Sequence, residues 1–434
     1  MKRSSKVPST RLGRLGKLGG LAAKITASVV TSSAQQIIKA QRPSLQKTLL
    51  TTSNAQSITQ HLAQMRGAAM KVGQMLSMDA GEFLPKEWEP ILARLRQGAD
   101  SMPKAQLLFM LNTYWGRDWQ SQFTYFSFEP MASASIGQVH RATLKNGREL
   151  AIKVQYPGIA ESIDSDIDNV GKLLKLSGLL PPQFDICKLL NEAKAQLKRE
   201  ADYTIERDYL TKYKSLIGKD STFVVPDIEP QLCNQHILAM EYIDGIGLEK
   251  LAEQSQADID SCMQSLVSLT LRELFDFGFM QSDPNFANFL LLPHTKQIAL
   301  LDFGACCELS SKTQATYKQM ATGMQMQDAS QIRASLMTLG LLQEDMPENI
   351  IQTVVDASLM ASECLQVNSY HLKNSRLIQR LYQRTQSLIR NNQAVASPDF
   401  DTALVNRKIS GMILLANKLG ANLQLRPCLA PYLK

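Results

Sequence analysis

Apolar and polar positions change their rhythm repeatedly along the 434 residues. From Ile58 to Met78 they follow helical spacing, with Leu62, Met65, Met70 and Leu76 recurring on one side. A second helical stretch is expected over Lys86–Arg96, opened by Pro85. Phe123–Phe128 then alternates, and Gln138–Thr143 and Glu149–Gln155 flank Asn146-Gly147, the signature of a tight hairpin. A small sheet therefore begins near Phe123. One long charged helix is expected from about Ile186 to Tyr213, followed by strands at Thr222–Val225 and His236–Tyr242. Helical spacing returns from Ile259 to Phe277, and Gln281–Leu292 and Gln297–Gly304 read as loop, strand, strand and turn. Beyond Ser311 the pattern is mainly helical. The expected class is α+β: a basic segment (1–57), a helical extension (58–110), a mainly β lobe (111–245) and a helical lobe (246–434).

Composition narrows the chemistry. The seven cysteines include no C-x-x-C pair, which points to a reducing compartment. The histidines form no H-E-x-x-H pattern, so a zinc hydrolase is not expected. No apolar run is long enough to span a bilayer. The net charge of +7 is uneven: twelve Lys and Arg precede the first acidic residue, Asp79. Within Arg11–Leu21 a period of three sets Arg11, Arg14 and Lys17 on one side and Leu12, Leu15 and Leu18 on another. Such a segment suits an anionic membrane surface or an import signal, and a flexible basic tail is the plain alternative. The body carries no basic patch interleaved with aromatics, so nucleic acid is not expected as a partner.

Three motifs carry chemistry in a fixed order. Lys153 sits inside the apolar strand Glu149-Leu-Ala-Ile-Lys-Val, where a charge is costly without a partner. Glu206 on the following helix is the best partner, and a Lys snorkelling from an edge strand is the alternative. Asp283-Pro-Asn-Phe-Ala-Asn288 has the D-x-x-x-x-N spacing of a kinase catalytic loop, with Gln281 and Ser282 where His and Arg are usual. Leu300-Leu-Asp302-Phe-Gly304 closes a strand with D-F-G. Each motif alone is weak; the ordered set predicts a bilobal protein-kinase-like fold binding ATP or ADP and Mg²⁺ in a cleft between lobes. In that reading Asp283 is the base or orients a water, Lys153 meets the phosphates paired to Glu206, and Asn288 and Asp302 hold the metal.

The phosphate loop is unusual. Ala132-Ser133-Ala134-Ser135 stands where a glycine-rich loop is expected. Alanine lacks the positive-φ freedom of glycine, so a stiffer loop with altered phosphoryl transfer follows, and Ala132→Gly with Ala134→Gly is expected to change the preference between ATP and ADP. Glu241 and Ile243, at the end of the His236–Tyr242 strand, complete the expected nucleotide-binding set. No A-P-E motif follows Gly304, which argues against peptide substrates.

These residues resemble the UbiB/AarF atypical kinase-like family. Its K-x-G-Q hallmark is similar to Lys71-Val-Gly73-Gln74, its alanine-rich loop to Ala132–Ser135 followed by Gly137-Gln-Val-His140, and its E-x-D to Glu200-Ala-Asp202. The run Gln281–Phe289 looks like the ubiquinone-linked branch of mitochondria and proteobacteria. Ser133 and Ser282 are small departures from the family pattern. The resemblance implies that Lys71, Gln74, Glu200 and Asp202 form a regulatory lid, with Lys71 able to pair with Glu200. It implies an ATPase or a small-molecule or lipid kinase-like enzyme supporting ubiquinone biosynthesis. Its expected partners are adenine nucleotide, a membrane surface, and isoprenoid-lipid intermediates or their enzymes. A nucleotide-binding scaffold or pseudokinase is the alternative, and a small-molecule kinase of the aminoglycoside or choline type a further one. The expected location is cytoplasmic at a bacterial inner membrane, with the mitochondrial matrix as alternative.

Overall fold

At the Asn146–Gly147 turn the chain needs a left-handed residue, and Gly147 supplies it at φ 85°. The two strands it joins are the centre of the first unit of a computed structural model. That structure describes residues 67–68, 71–72, 101–177, 186–390 and 398–433. The basic segment, the helix expected over Lys86–Arg96, and Gly73 and Gln74 lie outside the described residues. Of the helix expected over Ile58–Met78, Gly67, Ala68, Lys71 and Val72 are described, and all four are helical and buried.

Contacts divide the chain into two units, one reaching to Arg207 and taking in Asp227–Tyr242, the other Asp208–Pro226 and Ile243 onward. In the first unit, β3 (Gly137–Leu144) and β4 (Glu149–Gln155) pair antiparallel in unbroken register from Gly137–Gln155 to Thr143–Glu149. On the outer side of β3 lies β1 (Phe123–Phe126), with β2 (Ala132–Ser133) also paired to β3, and β6 (Ile237–Glu241) closes the other side of β4. An interior strand covered on both faces reads as a continuous apolar run rather than an alternation. Accordingly every residue of β4 after Glu149 is buried, whereas β3 alternates. Lys153 is therefore no edge-strand lysine: its neighbours are Val139 on one side and Leu238 on the other.

Helix α1 (Lys104–Trp115) precedes the sheet, and its Trp115 joins Trp119, Phe123 and Phe126 in an aromatic cluster. Helix α2 (Ile159–Ser177) was not expected from the pattern. Its Ile163, Ile167, Val170 and Leu174 pack in one core with Leu189, Ala193 and Leu197 of α3 (Ile186–Glu200). The long helix expected to Tyr213 is two helices, since α4 (Tyr203–Ile217) starts anew after Ala201-Asp202. The cause is local. Asp202 Oδ1 accepts from the Thr204 N–H at 2.9 Å and from its hydroxyl at 2.6 Å, an N-terminal cap that competes with a continuous helix.

In the second unit, α5 (Gln256–Arg272) is capped by Ser255 and runs on into a π turn, Glu273–Phe277, ended by Gly278 at φ 56°. A four-stranded sheet orders β5 (Phe223–Val224), β10 (Ile298–Leu300), β9 (Phe289–Leu291) and β7 (Ile246–Gly247). Separately, β8 (Phe279–Gln281) pairs with β11 (Cys306–Glu308). The longer helices of the rest of the unit are α6 (Ser311–Met326), α7 (Ala329–Thr338), α8 (Glu348–Ala361), α9 (Leu377–Arg390) and α10 (Phe400–Leu419). The class is mixed α+β, as the alternating and helical stretches predict. Among the described residues no helix is long and apolar enough to cross a membrane.

Candidate functional site

In the first unit, Lys153 reaches Glu206 of α4 with both carboxylate oxygens in range, Nζ to Oε1 at 2.9 Å and to Oε2 at 2.8 Å. Both residues are buried, at 8% and 3% exposure, so the charge that β4 carries inward is matched where it is desolvated. Cα pairing of Ala132 with Val139 and Ser133 with Gln138 folds the alanine-rich loop back on β3, and the Ala134 N–H donates to the Gly137 carbonyl at 2.9 Å. Gly137 has no substitute at this turn: a Cβ there would lie 2.4 Å from the Val154 carbonyl oxygen.

Ser135 ends the loop and ties it to α3, its hydroxyl donating to Glu200 Oε2 at 2.7 Å. The other oxygen of Glu200 accepts from Lys71 Nζ at 2.5 Å, with Lys71 only 3% exposed. One turn before Lys71, Gly67 sits so close that a Cβ would meet the Ser135 carbonyl oxygen at 2.7 Å. The structure thus brings Lys71, Glu200 and Ser135 together. Asp202 instead directs Oδ1 to the start of α4, and Gln74 lies outside the described residues. Glu241 is exposed at the end of β6, where its carboxylate accepts from the Asp227 N–H at 3.2 Å, and Ile243 follows half-buried.

A buried relay behind the loop escaped the sequence reading. The Met102 N–H donates to Gln138 Oε1 at 2.8 Å, and Gln138 Nε2 donates to His140 Nε2 at 2.8 Å. His140 Nδ1 donates to the Ser127 carbonyl at 2.8 Å. A carbonyl only accepts, which places the ring proton on Nδ1 and leaves Nε2 as acceptor. Burial lowers the His140 pKa to about 4, so the ring is neutral. The signal was available: Gln138 and His140 alternate on the inward face of β3, where apolar residues are expected.

In the second unit, Asp283, Asn288 and Asp302 are drawn together by backbone and side-chain hydrogen bonds. Asn285 caps the short turn to Asn288 by accepting from the Ala287 N–H at 3.2 Å. Asn288 Nδ2 then donates to Asp283 Oδ2 at 3.2 Å, and the Asn288 carbonyl accepts from the Leu301 N–H at 2.9 Å, one residue before Asp302. Asp302 Oδ1 accepts from the Gly304 N–H at 3.0 Å. Arg407 of α10 faces Asp283 Oδ1 at 3.5 Å, a partner that sequence spacing does not reveal. Phe303 is buried against Tyr213, ring centroids 5.0 Å apart.

Among the described residues no three His, Cys, Asp or Glu side chains gather as a metal cage. The Asp302 carboxylate and the Asn288 amide oxygen nevertheless suit Mg²⁺, which is held in nucleotide sites by one or two carboxylates together with phosphate oxygens. After Gly304 the chain passes through β11 straight to α6 at Ser311, leaving only a short segment there.

The ABC1 atypical kinase-like domain matches residues 94–336. Atypical kinase COQ8, mitochondrial, of Saccharomyces cerevisiae is 34% identical over 97% of this chain and 84% of its own length. Its Schizosaccharomyces pombe counterpart is 34% identical over 99% of this chain and 71% of its own. Atypical kinase COQ8B, mitochondrial, of Danio rerio is 32% identical over 97% and 68%. Among solved structures, an Rv3197–erythromycin complex from Mycobacterium tuberculosis aligns at TM-score 0.61 and 22% identity, covering 95% of this chain and 100% of that one, which speaks for a shared fold. The chain therefore belongs to the ABC1 atypical kinase-like family, in its COQ8, ubiquinone-linked branch.

Proposed function

We propose that the chain binds ATP or ADP with Mg²⁺ and turns ATP over, as an ATPase or as a kinase acting on a small or lipid acceptor of ubiquinone biosynthesis. The observation that carries this reading is the joining of Asn288 to Asp302 through the Leu301 N–H, with Asn288 also on Asp283. It gathers a candidate base and two candidate metal ligands in one place. Lys153, held by Glu206, contacts the phosphates; the loop Ala132, Ser133, Ala134 and Ser135 lies against them, its turn kept by the Ala134 N–H on the Gly137 carbonyl; Glu241 and Ile243 lie along the base. Bound Mg²⁺ supplies charge neutralisation on the phosphates. Asp283 accepts the proton of the attacking hydroxyl or water, while Asn288 Nδ2 orients its carboxylate. The Lys71–Glu200–Ser135 contact supports a lid role for Lys71 and Glu200, which fix the loop that cradles phosphate; Gln74 and Asp202 join that lid on the family resemblance alone. Membrane association and location belong to the same proposal. The COQ8 relatives are named mitochondrial, which favours the matrix over the bacterial inner-membrane surface.

The test is Mg²⁺-dependent ATP turnover, with and without anionic vesicles and a phenolic quinone-precursor head group. Asp302→Asn is expected to lower turnover by about 100-fold or more, the scale of losing one preorganised electrostatic contact. Equal turnover in wild type and variant, or tight nucleotide binding without turnover in wild type, would favour the scaffold.

A further inference from the structure

Gln281 stands where kinases usually place a histidine, and all its polar groups are engaged. Its N–H donates to Glu273 Oε1 at 2.9 Å, and its Nε2 donates to the Asp302 carbonyl at 3.2 Å. Its own carbonyl and its Oε1 each accept from Lys408 Nζ, both at 2.8 Å. Lys408 lies 127 residues further along the chain, on α10, at a core position between Val405 and Met412. It is 2% exposed, and Glu273, on the π turn after α5, is 0% exposed. Their charged groups stand 3.4 Å apart, and that oxygen of Glu273 accepts no hydrogen bond. The other oxygen also accepts from the Tyr213 hydroxyl at 2.8 Å. Ser282 adds a second fastening, its hydroxyl donating to the Ala305 carbonyl at 2.7 Å.

A buried ion pair is a poor way to gain stability, because apolar residues of similar volume usually serve as well or better. What this pair does, and an apolar pair cannot, is hold both ends of Gln281. Gln281 in turn joins the strand leading to Asp283 to the backbone of Asp302. We propose that Lys408, balanced by Glu273, is a positioning residue: it fixes Gln281 so that the proposed base, Asp283, and the proposed metal ligand, Asp302, keep one spacing. Lys408 bonds to neither carboxylate and acts through Gln281. The inference rests on the roles proposed above for Asp283 and Asp302.

The decisive variant is Lys408→Met combined with Glu273→Gln, which removes both charges while Glu273 Oε1 keeps an equivalent acceptor. Three readouts are compared with wild type at matched folded fraction. Amide exchange is expected to quicken at Gln281–Asn288 and Asp302–Cys306. Mn²⁺ affinity in the presence of ADP, followed by electron paramagnetic resonance, is expected to fall about tenfold, the usual cost of losing an outer partner of a metal ligand. The kcat for ATP is expected to fall with little change in KM. Wild-type exchange and Mn²⁺ affinity in a folded double variant would overturn the proposal. If the double variant does not fold, Gln281→Leu decides: it keeps the backbone bonds and loses both side-chain ties, and unchanged exchange and affinity there overturn the proposal equally. Failure of wild type to bind Mn²⁺ with ADP would sink the functional reading instead, and the exchange measurement would still decide for or against the positioning role.

Discussion

His140 has no room for a second proton. Its Nε2 already accepts from Gln138, so protonation would set an N–H against an amide N–H₂ in a buried place. The folded pKa of about 4 lies below the ordinary 6.5. Between those values the unfolded chain takes up a proton that the native ring refuses, so stability is lost as pH falls from about 6.5 toward 4 and levels off below. Over the full window the loss is about 3 kcal/mol, and between pH 7 and pH 5 about 2 kcal/mol. Urea unfolding at these two pH values measures it. His236, lowered by burial as well, shifts in the same sense, so His140→Gln is the control: lower stability at pH 7 with a flatter fall. An equally steep fall in the variant would show that His140 is not the group. The Lys153–Glu206 contact was legible in the sequence because a lone charge in an apolar strand demands an opposite charge. The Gln138–His140 relay and the Lys408–Gln281 bond were not, since side-chain amides and a lysine stem fit many surroundings, and only the fold brings their partners near.

Elements were readable where local chemistry acts alone and misread where it competes. Asn146-Gly147 marks its hairpin because Gly147 takes the one left-handed position, φ 85°, that closes the turn begun at Leu144. The break between α3 and α4 was hidden because Ile186–Tyr213 is rich in helix formers throughout, and one Asp–Thr cap decides the outcome. Helix α2 was passed over because its polar residues dilute an apolar face that declares itself only against α3. Packing also overrides propensity in α10. Gly411 lies mid-helix, where Ala would ordinarily gain about 1 kcal/mol. A Cβ there would fall 2.3 Å from Pro284 Cβ and 2.5 Å from its Cγ. A proline ring cannot rotate aside, so the backbone after Asp283 must move, at a cost of roughly 1–3 kcal/mol. Gly411→Ala is therefore expected to melt at a lower temperature and to lose Mg²⁺-dependent turnover, measured by calorimetry and by phosphate release. A more stable, fully active variant would show that the Asp283 loop has slack.

At the scale of the whole molecule, charge is divided more sharply than the fold. Twelve basic residues precede the first acidic one, and with a net charge of +7 the remainder of the chain is slightly acidic. Lys71 apart, the basic stretch lies outside the described residues. Near an anionic bilayer each Lys or Arg contributes about 1 kcal/mol, decaying within a Debye length of about 10 Å at 0.1 M salt. Leu12, Leu15 and Leu18 add apolar contact beside Arg11, Arg14 and Lys17. Among the described residues the large exposed apolar side chains include Phe109 on α1 and the neighbours Ile413 and Leu414 on α10; exposed apolar residues in ones and twos are ordinary on a protein surface. The full chain is therefore expected to float with anionic vesicles at low salt, to be released by high salt, and to ignore neutral vesicles. Replacing Arg11, Arg14 and Lys17 with Gln is expected to abolish flotation while leaving nucleotide binding intact, because these residues have no part in the proposed site. Unchanged flotation would move the membrane contact away from the basic segment. Flotation and nucleotide binding lost together would mean that the segment also supports the site.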